Sequence, residues 1–165
     1  MGGIKFQRTQ RKERSMKFDI PRSMKIEHEE LHEMLRKATK EPGEVGEAAT
    51  AVAKLMHPHF TKEEEYALPP LGLLRILSEG KVMPEMADVL ALSDKLKAEL
   101  PQMLAEHRSI VAALDNLSAA AKRAGKMEYV DFSKALMRHA QSEEEVAYPA
   151  AILIGEYVRE KLRSR

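Results

Sequence analysis

The chain contains no cysteine and no tryptophan, and aromatic residues make up only 5% of its 165 residues. The lack of thiols excludes disulfides, thiolate metal sites and cysteine catalysis. Long apolar runs are also missing, since stretches such as Tyr148 to Gly155 are well below the length that spans a bilayer. Neither sign of charge dominates, and the net charge of +1 does not draw the chain as a whole toward nucleic acid.

The residues that are present indicate one globular, all-α domain. Hydrophobic residues make up 44% of the chain and charged residues 32%, which is typical of a soluble protein with its own core. The apolar residues are mainly Ala, Leu, Met and Val, and they are mixed with the strong helix formers Glu and Lys. We expect a cytoplasmic protein, because disulfides are excluded and the N-terminus lacks the apolar centre of a secretory signal.

Residues 1–19 are predicted to form a basic tail ahead of a single domain at 20–163. Glu13 is the only acid within residues 2–17, which contain six basic residues: Lys5, Arg8, Arg11, Lys12, Arg14 and Lys17. A solvated tail is the favoured interpretation. An arm that binds nucleic acid or anionic lipid is the alternative, but no aromatic residues alternate with the charges to support it.

Apolar residues at helical spacing predict four main helices, at about 21–40, 44–68, 85–124 and 128–148. Extra helical segments are expected at about 70–100 and 150–162. Pro101 is expected to kink or split the third helix, and Pro149 is expected to end the fourth. The inward stripe of the fourth helix ends with Leu136, His139, Glu143 and Val146.

An internal repeat relates the two halves of the chain. The segment from His59 to Pro69 matches the segment from His139 to Pro149 at an offset of 80 residues. Upstream, Glu27-His28 matches Glu106-His107 at an offset of 79. Each half therefore holds one helix with Glu-His and one with His-x-x-x-Glu, which predicts an up-down-up-down four-helix bundle with an approximate two-fold axis.

Polar residues recur on the apolar stripes of these helices. Glu63 and Glu143 each lie four residues after a histidine and therefore share its helix face. Glutamate is rarely buried without a partner or a cation. A single histidine on such a stripe is more often a hydrogen-bonded core residue, but the same pairing occurs twice. The repeat therefore predicts a dinuclear metal centre built from six residues: His28, His59, Glu63, His107, His139 and Glu143.

The mixture of imidazole and carboxylate ligands indicates which metal the site would hold. Sulfur-bound structural zinc is excluded because the chain has no cysteine. Iron suits nitrogen and oxygen ligands in the core of a helical bundle, and manganese or zinc are the less favoured occupants.

The order His, His-x-x-x-Glu, His, His-x-x-x-Glu over about residues 20–160 resembles the haemerythrin-like, HHE cation-binding domain family. The resemblance implies a four-helix bundle with two non-haem iron ions, with or without an oxo or hydroxo bridge. It also implies that Glu63 and Glu143 are bridging carboxylates and that the four histidines are terminal ligands.

The resemblance to the oxygen-carrying members of this family implies a site of five histidines and two carboxylates. The chain departs from that pattern. Val111 stands where the extra histidine of the third helix is expected. His32, one turn after His28, is a candidate substitute. It is either a ligand or an outer residue at the edge of the stripe. As a ligand it would give one ion His28, His32 and His59, and the other His107 and His139.

Two classes of function fit such a centre, besides a purely structural metal. The first is a binding module for oxygen or nitric oxide, or a protein that stores or senses iron. The second is an enzyme that reduces peroxide or oxygen, or detoxifies nitric oxide, with Glu64 and Glu144 supplying protons. Residues predicted to form apolar walls are Met56, Phe60, Leu104 and Leu136. The sequence leaves open whether the extra helices cover the bundle or form a homodimer surface.

Overall fold

A computed structural model describes residues 18–164, so the predicted basic tail lies almost wholly outside the described residues. Within that range the chain is helical and contains no strand, which confirms the all-α prediction. The helices are α1 (Arg22–Ala38), α2 (Glu44–Lys62), α3 (Leu74–Ser78), α4 (Val89–Arg123), α5 (Met127–Ser142) and α6 (Tyr148–Arg163).

Helices α1, α2, α4 and α5 form the predicted four-helix bundle. Each contacts the next in chain order, and α5 contacts α1, so the four helices enclose one core. The turn between α1 and α2 is tight because Gly46 packs directly on the preceding loop. A Cβ atom on Gly46 would lie 1.9 Å from the carbonyl oxygen of Glu41, so any other residue would force the backbone apart.

Helix α4 runs without a break through Pro101 for 35 residues, so the predicted split at this residue is wrong. Pro101 is exposed, and so is Lys97, whose carbonyl loses its helical partner. Water can bond to a carbonyl on the outer face, and the loss of one hydrogen bond there does not end the helix. The first turns of α4 thus belong to the same helix as the part that enters the bundle.

The predicted break at Pro149 is also wrong. Helix α5 is followed by the π-helical turn Glu143–Ala147 and then directly by α6, with Pro149 in the first turn of α6. Proline suits this place because its missing N–H group falls where the hydrogen-bond pattern changes from the π turn to the α-helix.

Two apolar clusters fill the molecule, one on either side of the layer that contains the repeated histidines and glutamates. The first lies among α1, α2, α4 and α5 and includes the buried residues Leu35, Val52, Leu114 and Leu136. The second lies among the start of α4, α6 and the segment after α2, and includes Leu68, Leu96 and Val158. The polar layer is therefore closed off by hydrocarbon at both ends.

The extra segment that was predicted at about 70–100 consists mostly of short helical turns. It consists of the 3-10 turns Pro69–Leu73 and Pro84–Asp88, the single-turn helix α3, and the first residues of α4. These turns pack with α6 around the second apolar cluster. Within residues 18–164 no helix combines the length and the apolarity that crossing a membrane requires.

Candidate metal centre

A π-helical turn begins at the glutamate of each His-x-x-x-Glu motif, over Glu63–Ala67 and over Glu143–Ala147. In each turn the residue five positions after the glutamate donates its backbone N–H to the glutamate carbonyl, from Leu68 to Glu63 and from Tyr148 to Glu143. The fifth residue, and not the fourth, is therefore stacked over the glutamate. Turns of this kind occur often at functional sites, and the sequence alone did not predict them.

The π turn changes which side chains face inward after Glu143. Val146 was predicted to face the core on α-helical spacing, but it is 63% exposed, so this prediction is wrong. Ala147, one residue later, is buried in its place. The extra residue in the turn shifts the inward face by one position.

The six residues that the repeat singled out are all buried at the centre of the bundle. None of them is more than 5% exposed, and Glu63 has no exposed surface at all. Their helices bring them to the same depth: α1 carries His28, α2 carries His59 and α4 carries His107, while α5 carries His139.

The six residues form two groups whose potential ligand atoms lie within 4.8 Å of one another. The first group contains His59, Glu63, His107 and Glu143, and the second contains His28, His139 and Glu143. The grouping of His28 with His59, which was predicted for the case that His32 is a ligand, does not occur. The approximate two-fold axis exchanges α1 with α4 and α2 with α5. The histidines of α1 and α5 share one group, and the axis relates this pair of helices to α4 and α2, whose histidines share the other.

Both glutamates extend between the two groups. Glu143 places Oε1 3.1 Å from Nε2 of His139, and its Oε2 is 3.5 Å from Nε2 of His107. Glu63 places Oε1 3.1 Å from Nε2 of His59, and its Oε2 is 3.8 Å from Nε2 of His28. Each carboxylate therefore presents one oxygen to each group, which is the arrangement that a bridging ligand needs.

Outer carboxylates hold the two histidines of the first group. The Nδ1 atom of His59 lies 2.8 Å from Glu106, and the Nδ1 atom of His107 lies 2.8 Å from Glu144. An ionised carboxylate only accepts hydrogen bonds, so each Nδ1 donates its proton outward. In the neutral ring the Nε2 lone pair then faces the centre, as in metal-binding histidines.

The second group has the same arrangement with longer contacts. Nδ1 of His139 lies 3.2 Å from Glu27, and Nδ1 of His28 lies 3.7 Å from Glu64. These two carboxylates are about half exposed, at 54% and 51% of the side chain. The four outer acids occupy matching positions in the two halves of the repeat, because Glu27 corresponds to Glu106 and Glu64 corresponds to Glu144.

The carboxylates shift the titration of the histidines. Burial by itself lowers the pKa of His107, but hydrogen bonds to Glu143, Glu63 and Glu144 outweigh it and raise the pKa to about 10. The pKa of His139 is raised to about 9 against the same effect of burial, chiefly by its hydrogen bond to Glu143. Without a cation, protons on these rings neutralise the two buried acids.

The donor set fits a pair of cations better than it fits an ordinary polar core. The Oε2 atom of Glu63 is buried and has no hydrogen-bond partner among residues 18–164. The Nε2 atoms of His28 and His139 face each other at 3.1 Å, although both rings direct Nδ1 toward outer acids. A buried unpaired carboxylate oxygen is costly. A cation at each group would satisfy both features.

His32 lies apart from these groups. Its ring packs on Phe60 at 4.4 Å between centroids, and it belongs to neither group of converging ligand atoms within the described chain. Partial burial lowers its pKa. His32 lines a surface groove of about 450 Å³ between α1 and α2, together with Met56 and the exposed His57.

Three of the four residues predicted to form apolar walls are buried. Phe60 stacks on the ring of His28 at 4.5 Å, and Met56 and Leu136 are buried in the first apolar cluster. Leu104 is only half-buried, whereas its neighbour Met103 is fully buried. Phe60 therefore separates the His28 side of the site from the ring of His32.

Tyr148 is a residue of the site that the sequence reasoning missed. Its hydroxyl donates a hydrogen bond to Oε1 of Glu63 and lies 3.2 Å from Nε2 of His107 and 3.4 Å from Nε2 of His59. Burial raises its pKa, and so do the charges of the two buried glutamates. The signal was available in the repeat, because Tyr148 is the polar residue that aligns with Leu68.

Comparisons with known proteins agree with this geometry. The family model described as the hemerythrin HHE cation binding domain matches residues 19–151, which is most of the chain. Searches of curated proteins and of solved structures found no match. The match covers all four helices of the bundle and all six buried histidines and glutamates of the site. The chain therefore belongs to the hemerythrin HHE cation-binding domain family.

Proposed function

We propose that the protein binds two iron ions at this site and uses them to bind or sense a diatomic molecule, oxygen or nitric oxide. The observation that carries the proposal is the placement of Glu63 and Glu143. Two fully buried carboxylates each reach between two groups of histidines. Two cations could therefore bind, one at each group, with both carboxylates as bridging ligands. The same nitrogen and oxygen donors favour iron over softer metals.

The surroundings of the site favour a small ligand. The histidine and glutamate layer lies between two apolar clusters, and Phe60 covers His28. Apolar walls exclude water, and a site as fully buried as this one suits a diatomic molecule better than an organic substrate. Iron supplies a site for such a ligand, and the protein determines access and polarity.

Metal analysis after anaerobic reconstitution with ferrous iron tests the metal site. We expect two irons per chain in the unchanged protein. The Glu63→Gln variant removes one bridging charge and should retain at most one. Glu65→Gln is the matched control, because Glu65 belongs to the same motif but is exposed. A loss of iron that is equal in both variants, or no iron in the unchanged protein, would refute the site.

Exposing the reduced protein to oxygen and to nitric oxide tests the use of the site. Reversible binding, followed as a spectral change that degassing undoes, is the expected result. Rapid, irreversible oxidation with turnover of added peroxide would instead favour the second candidate, an enzyme that reduces peroxide or oxygen or detoxifies nitric oxide.

One observation favours this second candidate. Glu144 contacts Nδ1 of His107 at 2.8 Å, and 37% of its side chain is exposed. It therefore connects solvent to a buried histidine and can deliver protons to the site. If the protein turns over peroxide, the Glu144→Gln variant should slow that turnover while the exposed neighbour variant Glu145→Gln does not.

A further inference from the structure

The hydroxyl group of Tyr148 lies among the ligand atoms of the first group. Tyr148 has no exposed surface. Its oxygen is within 3.4 Å of Nε2 of both His59 and His107 and is hydrogen-bonded to Oε1 of Glu63. These three atoms are inward-facing donors of the first group, so the phenol oxygen converges on the same point as they do.

Other buried tyrosines of the described chain have conventional partners away from the site. The hydroxyl of Tyr66 bonds to Glu99 at 2.7 Å and Met103 at 3.6 Å, and the hydroxyl of Tyr129 bonds to Glu41 at 2.6 Å. Each thus bonds to a partly exposed carboxylate. Tyr148 instead directs its hydroxyl into the layer of histidines and glutamates.

The backbone explains this orientation. The π turn closes with a hydrogen bond from Tyr148 to Glu143, which stacks the tyrosine over a glutamate of the site. In the other half, the turn does the same for Leu68 and Glu63. The leucine side chain has no ligand atom, so only one of the two related positions can add a donor to the site.

We propose that Tyr148 is a seventh protein ligand, whose phenolate oxygen binds the metal ion held by the four residues of the first group. The inference rests on the proposed function, since it requires a metal in the first group. When the bond forms, the O–H bond breaks and its proton leaves to water, while an oxygen lone pair binds the metal. No electron is transferred, and the charge of the cation stabilises the phenolate.

The proposal makes the two metal positions unlike. The first position has the phenol and the two short contacts of 2.8 Å from histidine to outer carboxylate. The second position has longer contacts of 3.2 Å and 3.7 Å and no phenol. Outer carboxylates strengthen metal binding through the histidines that they hold. The first position should therefore retain its metal longer, and the second should be the one that is open to an added ligand.

The competing role for Tyr148 is that of a positioning residue, in which the neutral phenol only donates a hydrogen bond to Glu63. The two roles differ in the optical spectrum. A phenolate bound to ferric iron gives a visible charge-transfer band, and excitation within that band enhances the Raman vibrations of the tyrosine ring. A neutral phenol beside the metal gives neither signal.

The test uses the whole chain of 165 residues, loaded with ferrous iron and oxidised by air. Metal content is measured together with the visible and resonance Raman spectra. We expect a visible band whose Raman vibrations shift when the protein is made with ring-deuterated tyrosine. In Tyr148→Phe we expect this band and these vibrations to disappear while at least one iron stays bound. Tyr66→Phe is the matched control, because it removes the hydroxyl of another buried tyrosine and should leave both signals intact.

Each outcome decides the question. An iron-loaded, unchanged protein without enhanced tyrosine vibrations overturns the proposal, even if Tyr148→Phe does not fold. Vibrations that persist in Tyr148→Phe assign the ligand to another tyrosine and overturn it as well. If the unchanged protein binds no iron, the proposed function fails first, and the metal analysis shows this separately.

Discussion

The Nδ1 atom of His59 lies 2.8 Å from Oε2 of Glu106, which immediately precedes His107 in the other half of the repeat. Lys62 and Gln102 also donate hydrogen bonds to Glu106, at 2.5 Å and 3.1 Å. Burial opposes the charge of Glu106, but these three donors outweigh it and lower its pKa to about 2. Glu106 is therefore ionised at neutral pH and fixes the ring of His59 with Nε2 facing inward.

Replacing Glu106 with alanine should weaken metal binding. Loss of the outer acceptor frees the ring of His59, and changes of this kind reduce metal affinity by roughly 10- to 100-fold. Competition with a metal chelator measures the effect. Glu27→Ala is the comparison variant, because the contact of Glu27 with His139 is longer, at 3.2 Å, and its side chain is more exposed. An effect of Glu27→Ala that equals or exceeds that of Glu106→Ala would contradict this prediction.

The metal-free protein should lose stability as the pH rises from neutral to about 10. The pKa of His107 is raised to about 10 and that of His139 to about 9, whereas a histidine in the unfolded chain titrates near about 6.5. Below the unfolded value the stabilisation is present in full. It is lost as the pH rises through the folded pKa values, because the folded state then binds more protons than the unfolded state.

Urea denaturation of the metal-free protein at several pH values measures this loss of stability. His107→Gln removes one of the titrating rings, so its free energy of unfolding should depend less on pH over the same range. Surface lysines titrate alike in both proteins, so the difference between them isolates the histidine. Curves with the same pH dependence would show that His107 does not carry the effect.

His32→Ala should leave the number of bound irons unchanged. The ring of His32 packs on Phe60 and lies outside both groups of converging ligand atoms in the described chain. His28→Ala, one turn earlier on the same face, should lose iron because His28 belongs to the second group. Iron analysis of the two variants side by side makes the comparison. Loss of iron in His32→Ala would make His32 a ligand after all.

Gly155→Ala should destabilise the protein by about 1–3 kcal/mol, the usual cost of overpacking a core. A Cβ atom at this position would lie 2.4 Å from Cβ of Ser93, where α6 crosses the start of α4. The hydroxyl of Ser93 also bonds to the carbonyl of Ala151 at 2.9 Å, so the serine is held in place. Thermal denaturation measures the change.

The control for this substitution is Leu153→Ala on the same helix. Leu153 is 66% exposed, so its truncation should change stability by less than about 0.5 kcal/mol. Equal destabilisation by both variants would mean that the close packing of Gly155 on Ser93 is not the cause.

The sequence by itself was sufficient to predict the helical bundle and the six buried residues at its centre. Helical periodicity placed His28 and Glu63 on apolar faces, and this holds because the core side of a helix is set by local spacing. The repeat placed His107 and Glu143 at the same depth as their counterparts. Glu106 was identified only as part of the repeated Glu-His pair, because its contact with His59 joins two different helices.

The tertiary structure decided which histidines share a group, which side chains the π turns direct inward, and how the helices accommodate their prolines. His28 pairs with His139 because α1 lies beside α5 in the bundle, a neighbour relation that spacing along the chain does not contain. Tyr148 faces inward because hydrogen bonding at Glu143 changes from an α to a π pattern, which no local propensity signals. Pro101 stays within α4 because the carbonyl that it leaves unpaired lies on the exposed face of the packed helix.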